Sequence, residues 1–283
     1  MQRWFVLPKE SGIKLVFFLR SKLGQVFSAR QIKRAIERNL CLVNHSVETF
    51  ASFTVQAGDR VIFHDQEMDA LVRQPESKET HRILYEDEAL LFYDKPAGIT
   101  SDDKGLLAIL NSVSLVHRLD RETTGVMVFA KTIEAEKHML KLFKRRQVQK
   151  CYLALIDGIP SNQRGVIESY LERVDNSWKV ARREEGKYAR TDWRTVKQGQ
   201  QCALLHCFPK TGRTHQIRLQ MKEIGHPILG DYHYERNYRC RYHAKRCLLH
   251  AAEIAFFHPV TGEKVRVGAP IPRDFQQAMD ALL

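Results

Sequence analysis

The feature that most constrains this chain is a charged run joined directly to an apolar one. His117-Arg118-Leu119-Asp120-Arg121-Glu122-Thr123-Thr124-Gly125 leads without a break into Val126-Met127-Val128-Phe129-Ala130. Five successive apolar residues, with β-branched and aromatic members, have the length and chemistry of a buried strand. The charged run is then the loop that feeds a central strand. Such a loop suits a functional group, because the scaffold fixes it while its tip stays accessible. Two arginines flank Asp120, and a salt-bridged loop without chemistry would satisfy the same pattern.

The rest of the chain divides by composition. Residues 1–65 read as a small module, residues 66–80 as a polar linker without periodicity, and residues 81–283 as the main domain. In the main domain Leu90 to Tyr93, Val126 to Ala130, Tyr152 to Ile156 and Ala203 to Phe208 read as strands. Thr132 to Arg146 reads as a helix, with Thr132 as its cap, acids at its start and Lys144-Arg145-Arg146 at its end, the charge order a helix dipole favours. Thr214 to Ile224 reads as another, with Ile217, Met221 and Ile224 on its buried side and Gly225 and Pro227 stopping it.

In the first module Leu15, Phe18 and Leu19 repeat at helical spacing. Ser28-Ala29-Arg30-Gln31 is a capping-box pattern that starts a second helix, with Ile32, Ala35 and Ile36 inward. Arg30, Arg34 and Arg38 recur every fourth residue and so stack on one face, with Lys33 beside them. Short strands are expected at Cys41 to Asn44, Phe53 to Val55 and Arg60 to Phe63, with a turn at Ala57-Gly58-Asp59. Phe18-Leu19, Leu23, Ser28-Ala29-Arg30, Ile36, Val43-Asn44 and Ala57-Gly58-Asp59-Arg60-Val61 make residues 12–63 resemble the alpha-L RNA-binding domain of ribosomal small-subunit proteins and RNA-modifying enzymes. Where that family often has Gly after the second helix, Asn39 stands here, a residue that also tolerates the left-handed conformation. The resemblance implies that Arg30, Lys33, Arg34 and Arg38 face RNA.

The balance of 45 Lys and Arg against 33 Asp and Glu gives a formal charge of +12, which favours a polyanionic partner. The charge is clustered: Lys137 to Lys150 and Arg236 to Arg246 contain basic residues and no acid, which suits phosphate contact. Six scattered cysteines fit reduced thiols and a cytoplasmic setting better than a disulfide framework. The first residues show no signal-peptide pattern, and no run is long enough to span a bilayer. There is no Gly-rich phosphate loop, no HExxH and no GxSxG. Cys240, His243, Cys247 and His250 have zinc-like spacing, but Leu248-Leu249 looks like strand core and bases crowd the region. No metal site is expected.

The run 117–130 carries a second resemblance: HRLDRETTG followed by VMVFAK is similar to the central motif of the RluA family of pseudouridine synthases. The family's usual Thr-Ser-Gly is Thr123-Thr124-Gly125 here, which keeps the hydroxyl. Four more blocks match in order: Leu91 to Gly98; Lys150 to Leu155 with Gly158; Thr211 to Arg218 continued by Gly225 to Asp231; and Leu249-His250-Ala251 with His258 to Glu263. Together they cover roughly residues 84–270, and ordered blocks are far more specific than one short motif.

The resemblance implies an α+β fold: a mixed, mainly antiparallel sheet with a central cleft, next to a small N-terminal α/β RNA-binding domain. It implies an isomerase that detaches uracil from the sugar, turns it and rejoins it through carbon 5, without cofactor. Asp120 is then the catalytic carboxylate, acting as nucleophile or as charge support at the sugar. Arg218 matches the arginine that pairs with that aspartate. Tyr152 matches the active-site tyrosine, which stacks on uracil and assists proton transfer. Arg118 matches the arginine that takes the place of the flipped base. Arg121, Arg213 and His215 fall in the substrate- and RNA-binding motifs, and Leu249 walls the pocket. The expected partner is RNA, with large-subunit ribosomal RNA favoured and transfer RNA the alternative, and a monomeric protein. A binding-only ribosome assembly factor would need none of Asp120, Tyr152 and Arg218 in particular.

Overall fold

The structure is a computed structural model and describes residues 1–24, 26–66, 82–102, 105–110, 112–175, 177–183 and 185–283. The expected linker therefore lies, but for Gln66, outside the described residues, as does the side chain of Arg30. The backbone forms two compact units, Met1–Ser77 and Lys78–Leu283.

In the first unit β1 (Gln2–Phe5), α1 (Leu15–Leu23), α2 (Ala29–Ile36), β2 (Cys41–Val43), β3 (Ser46–Val47) and β4 (Arg60–Phe63) follow in order. The strands pair as β1-β4-β2-β3, all antiparallel. The capping box forms as its sequence predicts: Ser28 Oγ accepts from the Gln31 N–H, and the Gln31 side chain accepts from the Ser28 N–H. Asn39 sits at φ 63°, the left-handed value expected of it. The core joins Leu15, Phe18, Leu19, Ile32, Ala35, Ile36 and Phe63. Two elements differ from expectation. Asn44 and His45, both at positive φ, form the tight turn of the β2–β3 hairpin, so Asn44 ends the strand rather than extending it. Phe53 to Val55 is not a strand: Thr54 makes one isolated bridge to Lys14, because the chain it meets turns at once into α1.

The second unit runs β5 (Ile83–Glu86), β6 (Leu90–Lys95), α3 (Leu106–Ile109), β7 (Ser114–Leu115), β8 (Thr124–Ala130), α4 (Ile133–Lys144), β9 (Gln149–Asp157), β10 (Arg164–Val174), β11 (Ser177–Ala181), β12 (Lys187–Gln198), β13 (Cys202–Pro209), α5 (Gln216–Glu223), β14 (Leu249–Phe257), β15 (Lys264–Gly268) and α6 (Arg273–Leu282). One mixed sheet holds the strands in the order β11-β10-β12-β13-β9-β14-β8-β6-β5, with β7 and β15 beside it. The four strands expected from sequence are present as β6, β8, β9 and β13.

β8 is buried along its whole length. Val126, Val128 and Ala130 pack into a core with Ala135, Met139 and Leu142 of α4, while Met127 and Phe129 pack into the core on the other face with Leu106 and Tyr93. That two-sided burial is why the run is continuously apolar. β8 meets β14 in parallel at His250↔Thr124 and Ala251↔Gly125, while β14 lies antiparallel to β9. A Cβ on Gly125 would lie 2.2 Å from the Ala251 carbonyl oxygen, and its φ is 112°, so only glycine fits this junction.

α4 is capped by Thr132, whose Oγ1 accepts from the Ala135 N–H, as expected. α5 differs from the amphipathic reading: Ile217 and Met221 are buried, but Ile224 is exposed past the helix end, and Gln216 and Gln220 take the buried places instead. No helix among the described residues is long and apolar enough to cross a membrane.

Candidate active site

A cavity of about 750 Å³ opens in the second unit, lined by the loop before β8, by Tyr152 of β9 and by the segment from Pro209 to Ile217. Of the residues singled out from sequence in this unit, Asp120, Tyr152, Arg118, Arg121, Arg213, His215 and Leu249 all line it. Arg218 stands behind the wall, from the buried face of α5.

The loop bearing Asp120 is held by its backbone. Lys95, fully buried at the end of β6, donates from Nζ to the carbonyls of Pro96 (2.9 Å), Ile99 (2.9 Å) and Arg121 (3.0 Å). Burial pulls this ammonium down to about 7, with Glu122 and Asp120 acting the other way. Ser101 Oγ donates to the Leu119 carbonyl at 3.0 Å and accepts from the Leu119 N–H at 3.2 Å. His117 Nε2 accepts from the Val128 N–H at 3.0 Å while its ring stacks on Phe143, and desolvation pushes its imidazole down to about 3. The loop is thus tied on both sides of Asp120, as a group that must hold one geometry requires.

The carboxylate has a side-chain nitrogen opposite each oxygen. Arg218 Nη1 lies 3.5 Å from Oδ2, and His215 Nε2 lies 3.9 Å from Oδ1. Arg218 is more tightly bound elsewhere: Nε and Nη2 grip Asp231 at 2.8 and 2.7 Å, with Tyr234 under the guanidinium at 4.9 Å. The arginine expected to pair with Asp120 is therefore held first by Asp231, which aims its remaining nitrogen at Asp120. Tyr152 is half-buried and packs against two of the hydrophobic clusters, and desolvation, with Asp120 nearby, raises its phenol well above its usual range.

Other expectations are redistributed. Arg121 lines the cavity, but its Nε donates to the Gly98 carbonyl at 3.3 Å, and the Gly98 N–H donates to its carbonyl, so it helps fix the loop. Arg213 Nε donates to the Tyr188 carbonyl at 3.0 Å. Of the two basic runs, Lys144 and Arg146 are exposed at the cavity mouth, as is Arg118, whereas Lys150 turns in and donates to the Thr211 carbonyl at 3.2 Å. Burial lowers Lys150 to about 8. Arg246 departs from the reading of Arg236 to Arg246 as a phosphate-contact face, while Arg236, Arg239, Arg241 and Lys245 are exposed. Arg246 is buried, clasps Asp274 of α6 through two bonds of 2.6 and 3.0 Å, and donates to the carbonyls of Glu122 and Cys247. The zinc-spaced residues do not converge: His243 stacks on Tyr232, while His250 Nδ1 lies 2.9 Å from Thr124 Oγ1 within the sheet.

Lys95, Ser101, Asp231 and Tyr234 were given no role of their own from sequence, and Arg246 was given a different one. Lys95 had a signal, a cation at the end of the apolar strand begun by Leu90–Tyr93, but nothing local says that one of its three partners is a carbonyl 26 residues away.

Comparison with known proteins gives this geometry a context. Residues 89–223 match the family model of RNA pseudouridylate synthase. Ribosomal large subunit pseudouridine synthase C of Buchnera aphidicola is 32% identical over 94% of this chain and 92% of its own length. Ribosomal large subunit pseudouridine synthase D of Xanthomonas campestris is 35% identical over 71% of this chain and 69% of its own. Among solved structures, human RNA Pseudouridylate Synthase Domain Containing 4 superposes with a TM-score of 0.62 at 26% identity, over 72% of this chain and 94% of its own. A buried strand fed by a pinned aspartate loop, in a chain that shares nearly the full length of such a relative, has one consistent reading: this protein belongs to the RluA family of RNA pseudouridylate synthases and is an isomerase.

Proposed function

We propose that the protein converts uridine to pseudouridine in large-subunit ribosomal RNA, in the cytoplasm and as a monomer, with Asp120 as its catalytic carboxylate. The observation that carries the reading is Asp120 itself, pinned by its backbone in a basic-mouthed cavity, with Arg218 opposite one oxygen and His215 opposite the other. The names of the bacterial relatives support the ribosomal substrate.

The chemistry follows from the groups present. The bond between uracil N1 and the anomeric carbon breaks, a bond from carbon 5 to that carbon forms, the carbon 5 proton leaves and N1 regains one. A carboxylate at the sugar supports positive charge developing at the anomeric carbon. Tyr152, whose phenol keeps its proton, offers uracil an aromatic face and a hydroxyl. The base must leave its stack to enter, and the exposed Arg118 guanidinium suits the gap it leaves. Lys144, Arg146 and Lys210 at the rim suit the phosphates. In the first unit, proposed as an alpha-L RNA-binding domain, Lys33 and Arg34 are exposed on α2, as backbone contacts to structured RNA would need, whereas Arg38 after it is half-buried.

The test is tritium release from ribosomal and transfer RNA labelled at carbon 5 of uracil and lacking the modification. Wild type should release tritium from the ribosomal pool. Asp120→Asn, which keeps the shape and loses the carboxylate, should release none while still binding RNA. Full turnover by Asp120→Asn would remove Asp120 from the mechanism.

A further inference from the structure

We propose that His215 is a positioning residue for the Asp120 carboxylate, held by Tyr234 as the imidazole that carries its proton on Nε2. This rests on the reading of Asp120 as the catalytic group, and it adds a chain of two side chains, Tyr234 and His215, that leads to the carboxylate.

The direction of the hydrogen-bond chain is set at its Asp120 end, because a carboxylate oxygen only accepts. β11, which bears Trp178, is the end strand of the sheet. Trp178 and Tyr234 pack on the same small core, beside Leu171, Ala189 and Leu219. The Tyr234 hydroxyl is hydrogen-bonded to His215 Nδ1 and can donate to it. A neutral imidazole that accepts at Nδ1 carries its hydrogen on Nε2. Nε2 faces Asp120 Oδ1 at 3.9 Å. The other tautomer would set an imidazole lone pair against a carboxylate oxygen, acceptor against acceptor.

The ring is neutral for a reason visible around it. Burial and the Arg218 guanidinium push it down to about 4, His233 adds to that, and the opposing pulls of Asp120 and Asp231 are smaller. His215 also sits in the left-handed region, φ 56° and ψ 20°, at the entrance to α5, and its side chain does not cap the helix. A non-glycine residue held there has its ring direction set by the surrounding structure, here by Tyr234.

Arg218 on Oδ2 and His215 on Oδ1 together fix the rotation of the carboxylate. At 3.9 Å the second contact is longer than a hydrogen bond, the usual state of such contacts before substrate enters.

Two measurements test this. The first needs no RNA: nitrogen-15 spectra of the imidazoles in the full-length protein at neutral pH, with the His215 signal assigned by its loss in His215→Gln. The Nε2–H tautomer is expected. An Nδ1–H tautomer or an imidazolium would overturn the proposal, whatever the protein does to RNA. The second is tritium release measured across RNA concentrations. Tyr234→Phe and His215→Ala should each lower kcat by about 10- to 100-fold with KM nearly unchanged, and His215→Gln, which keeps an N–H donor, should recover part of the loss. Wild-type kcat in both Tyr234→Phe and His215→Ala, or a loss confined to KM, would also overturn it. If His215→Ala fails to fold, Tyr234→Phe and the wild-type tautomer still decide. A wild type silent towards RNA would instead overturn the reading of the site, while the tautomer still decides the hydrogen-bond chain.

Discussion

α2 and α5 are each eight residues long and use opposite rules. α2 is a surface helix. Ser28 caps it, Ile32, Ala35 and Ile36 go to the core, and Lys33 and Arg34 face water. α5 buries six successive residues, Gln216 to Met221, three of them polar or charged. Each buried polar group on α5 has partners. Gln216 accepts from Thr211 Oγ1 and the Arg213 N–H and donates to the Arg190 carbonyl. Gln220 accepts from Thr191 and donates to Ile167, Ser169 and Ala189. Arg218 grips Asp231. The difference teaches where specificity sits. A charge in water can be exchanged for another at small cost, while a buried one fixes a geometry and fails when its partner is removed.

The largest consequence is acid sensitivity of the second unit. His117, His215 and His250 are held at about 3, about 4 and about 4, in each case chiefly because burial disfavours the imidazolium. In the unfolded chain they titrate near 6.5, the value from which these shifts are measured. As pH falls below that, the unfolded chain binds protons that the folded one refuses. Stability is therefore full above the unfolded value and is lost as pH falls towards the folded ones. Linkage gives up to roughly 5 kcal/mol lost between about pH 7 and about pH 5, comparable with a whole domain's stability. Urea midpoints read by tryptophan fluorescence at both pH values measure it. Equal midpoints would mean that these rings are not desolvated.

Next in size is Asp231→Ala. It leaves the buried Arg218 guanidinium with Asp120 alone at 3.5 Å. Removing one partner of a buried pair costs about 3–5 kcal/mol. The same urea titration checks this, and a loss below about 1 kcal/mol would show that Asp120 compensates, erasing the contrast with α2.

The contrast also explains what could be read from sequence. The α2 capping box, the left-handed Asn39 and the Thr132 cap depend on neighbours a few residues away, so local chemistry announces them. β8 was legible because both of its faces are apolar. Gln216 and Gln220 were not, because both bond to β12, and Gln220 to β10 as well, which no local pattern marks as adjacent. The extended β10, β11 and β12 carry exposed and charged side chains along much of their length, so hydrophobic periodicity is weak there. For the site, Asp120, Tyr152 and Arg218 came from motif resemblance, which carries residue identity but not the second partner. Asp231 stands in one of the matching motifs, yet only the fold brings its carboxylate to Arg218.

The smallest stability effect is expected on α2, where it is most informative about function. Lys33→Ala with Arg34→Ala removes two exposed cations, one of them in a loose pair with Glu37 at 3.9 Å. Stability should move by no more than about 0.5 kcal/mol, since neither side chain enters the core. If these residues meet phosphates, RNA affinity should fall on every sequence, and the slope of log affinity against log salt should drop by about 1 for each phosphate no longer neutralised. Tritium release from bound RNA in a single turnover should stay at the wild-type rate, because the chemistry belongs to the other unit. A filter-binding series across salt concentrations separates the outcomes. A flatter slope with intact single-turnover release assigns α2 to RNA docking, whereas an unchanged slope leaves Lys33 and Arg34 as solvent-facing charge and removes the main support for an RNA-binding N-terminal unit.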